Sequence, residues 1–89
     1  MRTIRWSFSA PQQLIGIYDF IAQDKPDAAA EFTNGILDIV EHLAGHPLLG
    51  RPGREVGTRE WVVSPVVIVY RSDEQVIDVQ AIYDGRRRI

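Results

Sequence analysis

Two stretches of helical periodicity lie so close in this chain that they can only fold back on each other. Leu14, Ile17, Tyr18 and Ile21 recur at the spacing of one helix face, and Ala28, Ala29, Phe32, Ile36, Ile39, Val40 and Leu43 do so again. Between them stands Asp24-Lys25-Pro26-Asp27, where Pro26 is tolerated only in a first turn and Asp24 reads as the second helix's N-cap. Ser9 reads as the N-cap of the first helix, with Pro11 in its opening turn and Gln12 as capping-box partner, so that helix is expected over about 10–23. Gly45 and Pro47 end the second after a run of ~30 Å. So short a link makes an antiparallel hairpin.

A helical hairpin needs a further layer to cover its apolar face, and the rest of the chain supplies strands. Ile4, Trp6 and Phe8 alternate with Arg5 and Ser7, the period of a half-buried strand. Gly50-Arg51-Pro52-Gly53-Arg54 reads as a loop. Glu60–Val63, Val66–Tyr70 and Val76–Tyr83 then read as strands joined by short turns at Ser64-Pro65 and Ser72-Asp73-Glu74. Val66-Val67-Ile68-Val69-Tyr70 is apolar at every position, as suits a central strand with both faces covered. The expectation is an α+β fold of order β-α-α-β-β-β, a helical hairpin packed on a small antiparallel sheet, one domain over residues 1–89. Trp6, Phe32 and Trp61 are assigned to its core.

Composition removes several functions. Cysteine is absent, which excludes disulfides, thiolate metal sites and a Cys nucleophile. His42 and His46, the only imidazoles, lie four apart near a helix end and could in principle bridge a metal. Without a nearby third ligand no metal site or cofactor is expected; the pair suits the negative end of the helix dipole. Ser64 and Ser72 lack His and Asp companions for nucleophilic work. No apolar run reaches the ~20 residues of a membrane span and the N-terminus has no signal-peptide core, so a soluble, cytoplasmic protein with no membrane partner is expected.

Charge is segregated. Residues 1–45 hold three cations against six anions, and residues 46–89 hold seven arginines against six anions. Such a balance excludes a strongly basic coat for nucleic acid. No sequence-specific nucleic-acid binding by the chain alone is expected. Arg51, Arg54, Arg59, Arg71, Arg86, Arg87 and Arg88 cluster around the strands, with Tyr83 ending the last one as an exposed ring with a polar tip. One account is an Arg-lined sheet face for an anionic partner; the plainer one pairs each arginine with a carboxylate of its own chain. The Gly50–Gly53 loop lacks the Lys-Ser/Thr of a phosphate-cradling loop.

Taken in order, Ile4-Arg5-Trp6-Ser7, Tyr18-Asp19-Phe20-Ile21-Ala22, Asp24-Lys25-Pro26 with Ala28-Ala29, Leu43, Pro47, Gly50-Arg51-Pro52-Gly53-Arg54, Gly57-Thr58-Arg59-Glu60-Trp61-Val62-Val63, Val67-Ile68-Val69-Tyr70-Arg71 and Ile82-Tyr83-Asp84-Gly85-Arg86-Arg87 make a pattern. The chain resembles the RelE/ParE superfamily of bacterial toxin–antitoxin toxins along essentially its whole length, and most the ParE-like branch. The resemblance implies a toxin neutralised by a cognate antitoxin that orders over the helical hairpin and sheet. The ribonuclease branch cuts mRNA on the ribosome with basic residues and often a C-terminal tyrosine. Here Val67 and Gly85 stand where two of those basic groups would be, and the tyrosine would fall past Ile89. On that branch Arg59, Arg71, Tyr83 and Arg86 would be the catalytic set. The ParE-like branch inhibits DNA gyrase and needs a binding surface but no catalytic set; the target-binding residues implied are Arg51, Arg54, Arg59, Arg71, Tyr83, Arg86, Arg87 and Arg88. That branch commonly carries His before Gly-Arg-Arg, whereas this chain has Asp84. An inactive paralogue that only binds antitoxin is the third reading.

Overall fold

A computed structural model describes residues 1–87, with Arg87 entering through its backbone. The chain runs β1 (Thr3–Trp6), α1 (Ser9–Ala22), α2 (Pro26–Gly45), β2 (Arg51–Pro52), β3 (Arg59–Val63), β4 (Val66–Ser72) and β5 (Val76–Asp84), and then a single 3-10 turn at Gly85–Arg87. One five-stranded sheet forms in the order β1-β5-β4-β3-β2, and the two helices lie on one of its faces. The expected α+β class and hairpin are therefore present.

The sheet departs from the expected one in two respects. It is mixed, because β1 joins the edge of β5 in parallel, Thr3 opposite Val76 through Trp6 opposite Val79. The intervening hairpin carries the chain across one face, so the first strand returns in the same direction as the last. The Gly/Pro loop also contributes a fifth strand, the two-residue β2, which pairs Arg51 with Glu60 and Pro52 with Arg59. Proline is accommodated there because β2 is an edge.

Both expected caps shift, the first for a tertiary reason. Ser9 lies inside α1; the Ala10 N–H is met instead by the Ser7 hydroxyl at 3.0 Å, which itself donates to the Gln80 carbonyl at 2.8 Å. One side chain thus caps the helix and ties it to β5. Lys25, not Asp24, precedes α2, with no side-chain cap; Pro26 has the φ a first turn requires and Asp27 lies near the positive helix end.

Strand alternation separates the faces. Val66, Ile68, Val79 and Ile82 pack with Ala10 and Leu14 of α1 and Ile36 and Val40 of α2. Tyr70 and Ile77 pack with Leu43 and Ala44 at the other end of α2. Trp6, Phe32 and Trp61 are partly buried against this core. Val79 and Ile82 are three apart, so both can face the helices only if the pleat is interrupted. Register shows the interruption: Tyr70 opposes Val79 and Val69 opposes Ala81, leaving Gln80 as a bulge.

Candidate functional site on the open sheet face

The face turned away from the helices carries the alternate residues, and it is hollowed. Val69 and Ala81 floor a cleft of about 450 Å³, with Thr58, Glu60, Gln80 and Tyr83 as walls and Arg54 and Glu55 at the rim. The bulge places Gln80 on its edge.

Glu60 is the anchor. Residue 60 is 6% exposed, and a buried carboxylate requires a partner. Arg51, directly opposite in the β2–β3 register, supplies two hydrogen bonds to one oxygen, Nε at 3.2 Å and Nη2 at 3.0 Å to Oε1. The short β2 thus places a guanidinium over the carboxylate. It is held by the residue before it: the Gly50 N–H donates to the Tyr70 hydroxyl at 2.9 Å, and that hydroxyl donates to the Pro47 carbonyl at 2.7 Å. A Cβ on Gly50 would collide with the Tyr70 hydroxyl and lie 2.9 Å from the Glu60 carbonyl, so glycine is required. Burial pushes the Tyr70 phenol above its ordinary pKa, with smaller opposing effects from Gly50 and the Arg59 charge.

Tyr83 is half-buried rather than the exposed ring expected. Burial raises its pKa first, the Glu60 charge raises it further, and Arg54 and Arg51 oppose these effects. The phenol therefore stays protonated at neutral pH and serves as a hydrogen-bonding tip, not a phenolate base.

The sequence-derived site residues are not brought to one place. Arg54 and Tyr83 line the cleft, and Arg51 reaches its wall through Glu60. Arg59 points to the helix side, where its Nη1 donates to the Gly50 carbonyl at 2.7 Å and reaches the Leu48 carbonyl at 3.5 Å. Arg71 pins the 53–58 loop from behind, donating to the Val56 carbonyl at 3.1 Å and lying 3.9 Å from the Glu55 carboxylate. It crosses Gly57, whose φ of +87° disfavours any side chain. Arg86 forks onto Asp84, Nε at 3.1 Å and Nη2 at 2.9 Å, and this carboxylate raises the guanidinium's pKa. The Arg87 side chain and all of Arg88 lie outside the described residues. Glu60, Thr58 and Gln80 had not been singled out. Glu60 could have been found from period-2 alternation, which sets it opposite to Arg59 and Trp61.

No imidazole or thiol lines the cleft, and among the described residues no three His, Cys, Asp or Glu side chains converge as a metal cage. Paired ions, a neutral phenol and an apolar floor form a recognition surface: they can accept and donate hydrogen bonds and bury a side chain.

A second hollow, of about 520 Å³, runs between α1 and the end of β5, lined by Gln13, Gly16, Ile17, Phe20, Ile82, Tyr83 and Asp84. Tyr83 borders both. Here β1 has ended, and the β5 edge is met by side chains: the Gln13 amide oxygen accepts from the Ile82 N–H at 2.8 Å, and Ser7 donates to Gln80.

Residues 4–89 match the family described as ParE toxin of type II toxin-antitoxin system, parDE. The Sinorhizobium fredii (strain NBRC 101917 / NGR234) protein Y4kP is 42% identical over 77 residues, covering 84% of this chain and 80% of that protein. Among solved structures, the chromosomal ParDE toxin–antitoxin system of P. aeruginosa superposes with a TM-score of 0.83 at 24% identity, covering 94% of this chain and 96% of that one. The RelBE2 toxin–antitoxin complex of Mycobacterium tuberculosis gives 0.65 at 19% identity (93% and 96% covered). YafQ from E. coli gives 0.61 at 14% (97% and 96%). At these identities the structures show a shared fold.

Proposed function

Because this chain belongs to the ParE toxin family of type II toxin–antitoxin systems, we propose that it acts by binding: it inhibits DNA gyrase in the cytoplasm without chemistry of its own, and a cognate antitoxin silences it. The observation that carries this reading is how the arginines are used. Arg51 is held by Glu60, Arg59 by backbone carbonyls on the far face, Arg71 by the 53–58 loop and Arg86 by Asp84. A ribonuclease needs cations placed around one phosphate and a group able to move a proton near neutral pH. Here the cations are dispersed and the cleft's phenol has a raised pKa. A surface fixed by internal ion pairs favours gripping a macromolecule.

The antitoxin reading draws on the α1–β5 hollow. Phe20 is 56% exposed at its lip, and Ile17 and Ile82 form its floor. An apolar groove beside a strand edge suits a segment that orders as it binds.

Purified gyrase tests the proposal. Added protein should stop supercoiling and accumulate cleaved DNA, and Arg54→Ala with Tyr83→Phe should weaken both by at least tenfold without lowering the melting temperature. Codon-phased cuts in translated mRNA with unaffected supercoiling would establish a ribosome-dependent endoribonuclease instead. Unchanged growth on expression without antitoxin would leave an antitoxin-binding paralogue. Phe20→Glu should weaken antitoxin binding while sparing gyrase inhibition.

A further inference from the structure

The chain's only two imidazoles lie away from both hollows described above, at the C-terminal end of α2, and they face each other. The ring centres of His42 and His46 are 4.8 Å apart with planes inclined at 46°, so the rings are not stacked. An ion bound to two imidazole nitrogens at 2.0–2.1 Å lies about 3.2 Å from each ring centre, and an angle of 90–110° at the ion then sets the centres about 4.5–5.2 Å apart. The observed separation falls inside that window.

The backbone holds the pair ready. His42 is in the last turn of α2, and His46 is its C-terminal cap, its N–H donating to the carbonyls of His42 and Leu43 at 3.1 Å each. His46 stands one residue past the end of α2 with non-helical backbone, so the cap, not helix periodicity, brings its ring beside His42. Electrostatics act in the same direction. A helix C-terminus carries partial negative charge, and the surface hollow of about 360 Å³ holding both rings is also lined by Asp38 and Glu41. Both histidines are exposed, so an ion can reach them from solvent.

We infer that His42 and His46 form a two-imidazole chelate for a divalent transition ion of the Zn²⁺, Ni²⁺ or Cu²⁺ class, with water completing the coordination. Among the described residues no third side chain completes a closed cage, so the site is an open, solvent-accessible one. Imidazole suits these ions, while Mg²⁺ and Ca²⁺ demand oxygen ligands. Bound there, the ion joins the last turn of α2 to the Pro47–Gly50 segment that Tyr70 and Arg59 fix, and it stabilises the folded chain by mass action.

The test uses the full chain without a histidine tag, titrated with Zn²⁺ and with Ni²⁺ and read by calorimetry, thermal unfolding and imidazole proton resonances. Expected are one ion per chain, a melting temperature that climbs with metal concentration, no response to Mg²⁺, and perturbation of both histidine signals together. His42→Ala and His46→Asn should each weaken binding at least tenfold and leave the metal-free melting temperature within a degree of the parent. Asn is used at position 46 because it can still cap the helix. Full affinity in either variant, movement of one histidine signal alone, or no response at millimolar metal overturns the proposal.

Discussion

The two faces of the sheet are built from the same strands and solve different problems. On the helix side, Ile68, Tyr70, Ile77 and Val79 have no solvent exposure, and the one polar tip among them, the Tyr70 hydroxyl, is satisfied by backbone. On the open side, Val62 is 44% exposed, Val69 and Ala81 form a floor, and the buried Glu60 carboxylate is satisfied by Arg51. Burial of apolar area stabilises the first face; the second is kept in shape by hydrogen-bonded ions that add little net stability. An arginine count therefore overstates how much positive charge this surface offers.

The largest expected effect breaks the comparison along neighbouring strands. Ile68→Asp places an unpaired carboxylate in a site with no solvent and should cost more than about 4 kcal/mol, which for a domain this small means unfolding. Val62→Asp, on the open face, should cost about 1 kcal/mol or less. Urea titrations followed by circular dichroism decide it; equal losses would mean that the faces do not differ as described.

Next comes the ion pair itself. Arg51→Ala leaves the Glu60 carboxylate buried without its partner, and a loss of about 2–3 kcal/mol is expected, below the usual cost for a fully buried pair because Arg51 is largely solvated. Adding Glu60→Gln should restore most of it, since the stranded charge, not the lost bridge, carries the cost. A comparable loss of about 2 kcal/mol is expected for Gly50→Ala, where the new methyl meets Tyr70. Gly35→Ala, in α2 with nothing within 4 Å of the added carbon, should instead gain about 0.5–1 kcal/mol.

Smallest are two pH responses with opposite signs. Because burial raises the Tyr70 pKa, the unfolded chain releases that proton first, and stability should fall as pH climbs past about 10. The Asp73 carboxylate accepts hydrogen bonds from the Gln75 and Val76 N–H groups at 2.7 Å each, which lowers its pKa below 3.8. Its contribution is present above that value and is lost as pH drops further. Melting curves across both ranges should show the alkaline limb shrink in Tyr70→Phe, Tyr83 supplying the remainder, and the acid limb shrink in Asp73→Asn.

The helices and β4 were legible because their periodicity is long or their apolar run unbroken, and local physics alone explains both. β1's parallel partner was not, since the strand it joins lies some seventy residues away and no local signal names it. β2 was hidden by its two-residue length and its proline. The cap of α1 moved because Ser7 binds Gln80 as well as Ala10, a competition invisible without the sheet. At the site the residue types could be read but not their partners: alternation alone places Arg59 beside Trp61 and away from Glu60, yet the sequence groups it with the other arginines. The Gln80 bulge shifts the alternation in β5, and no composition rule forecasts it.

Two small side chains at the rim have a wider consequence. Bare strand borders recruit foreign strands, which is how many β-rich chains clump. Beyond Trp6 the border of β5 lacks a neighbour strand, yet Ser7 and Gln13 already occupy the Gln80 carbonyl and the Ile82 amide. An unrelated chain must first evict both, so these two side chains discourage promiscuous pairing along this border.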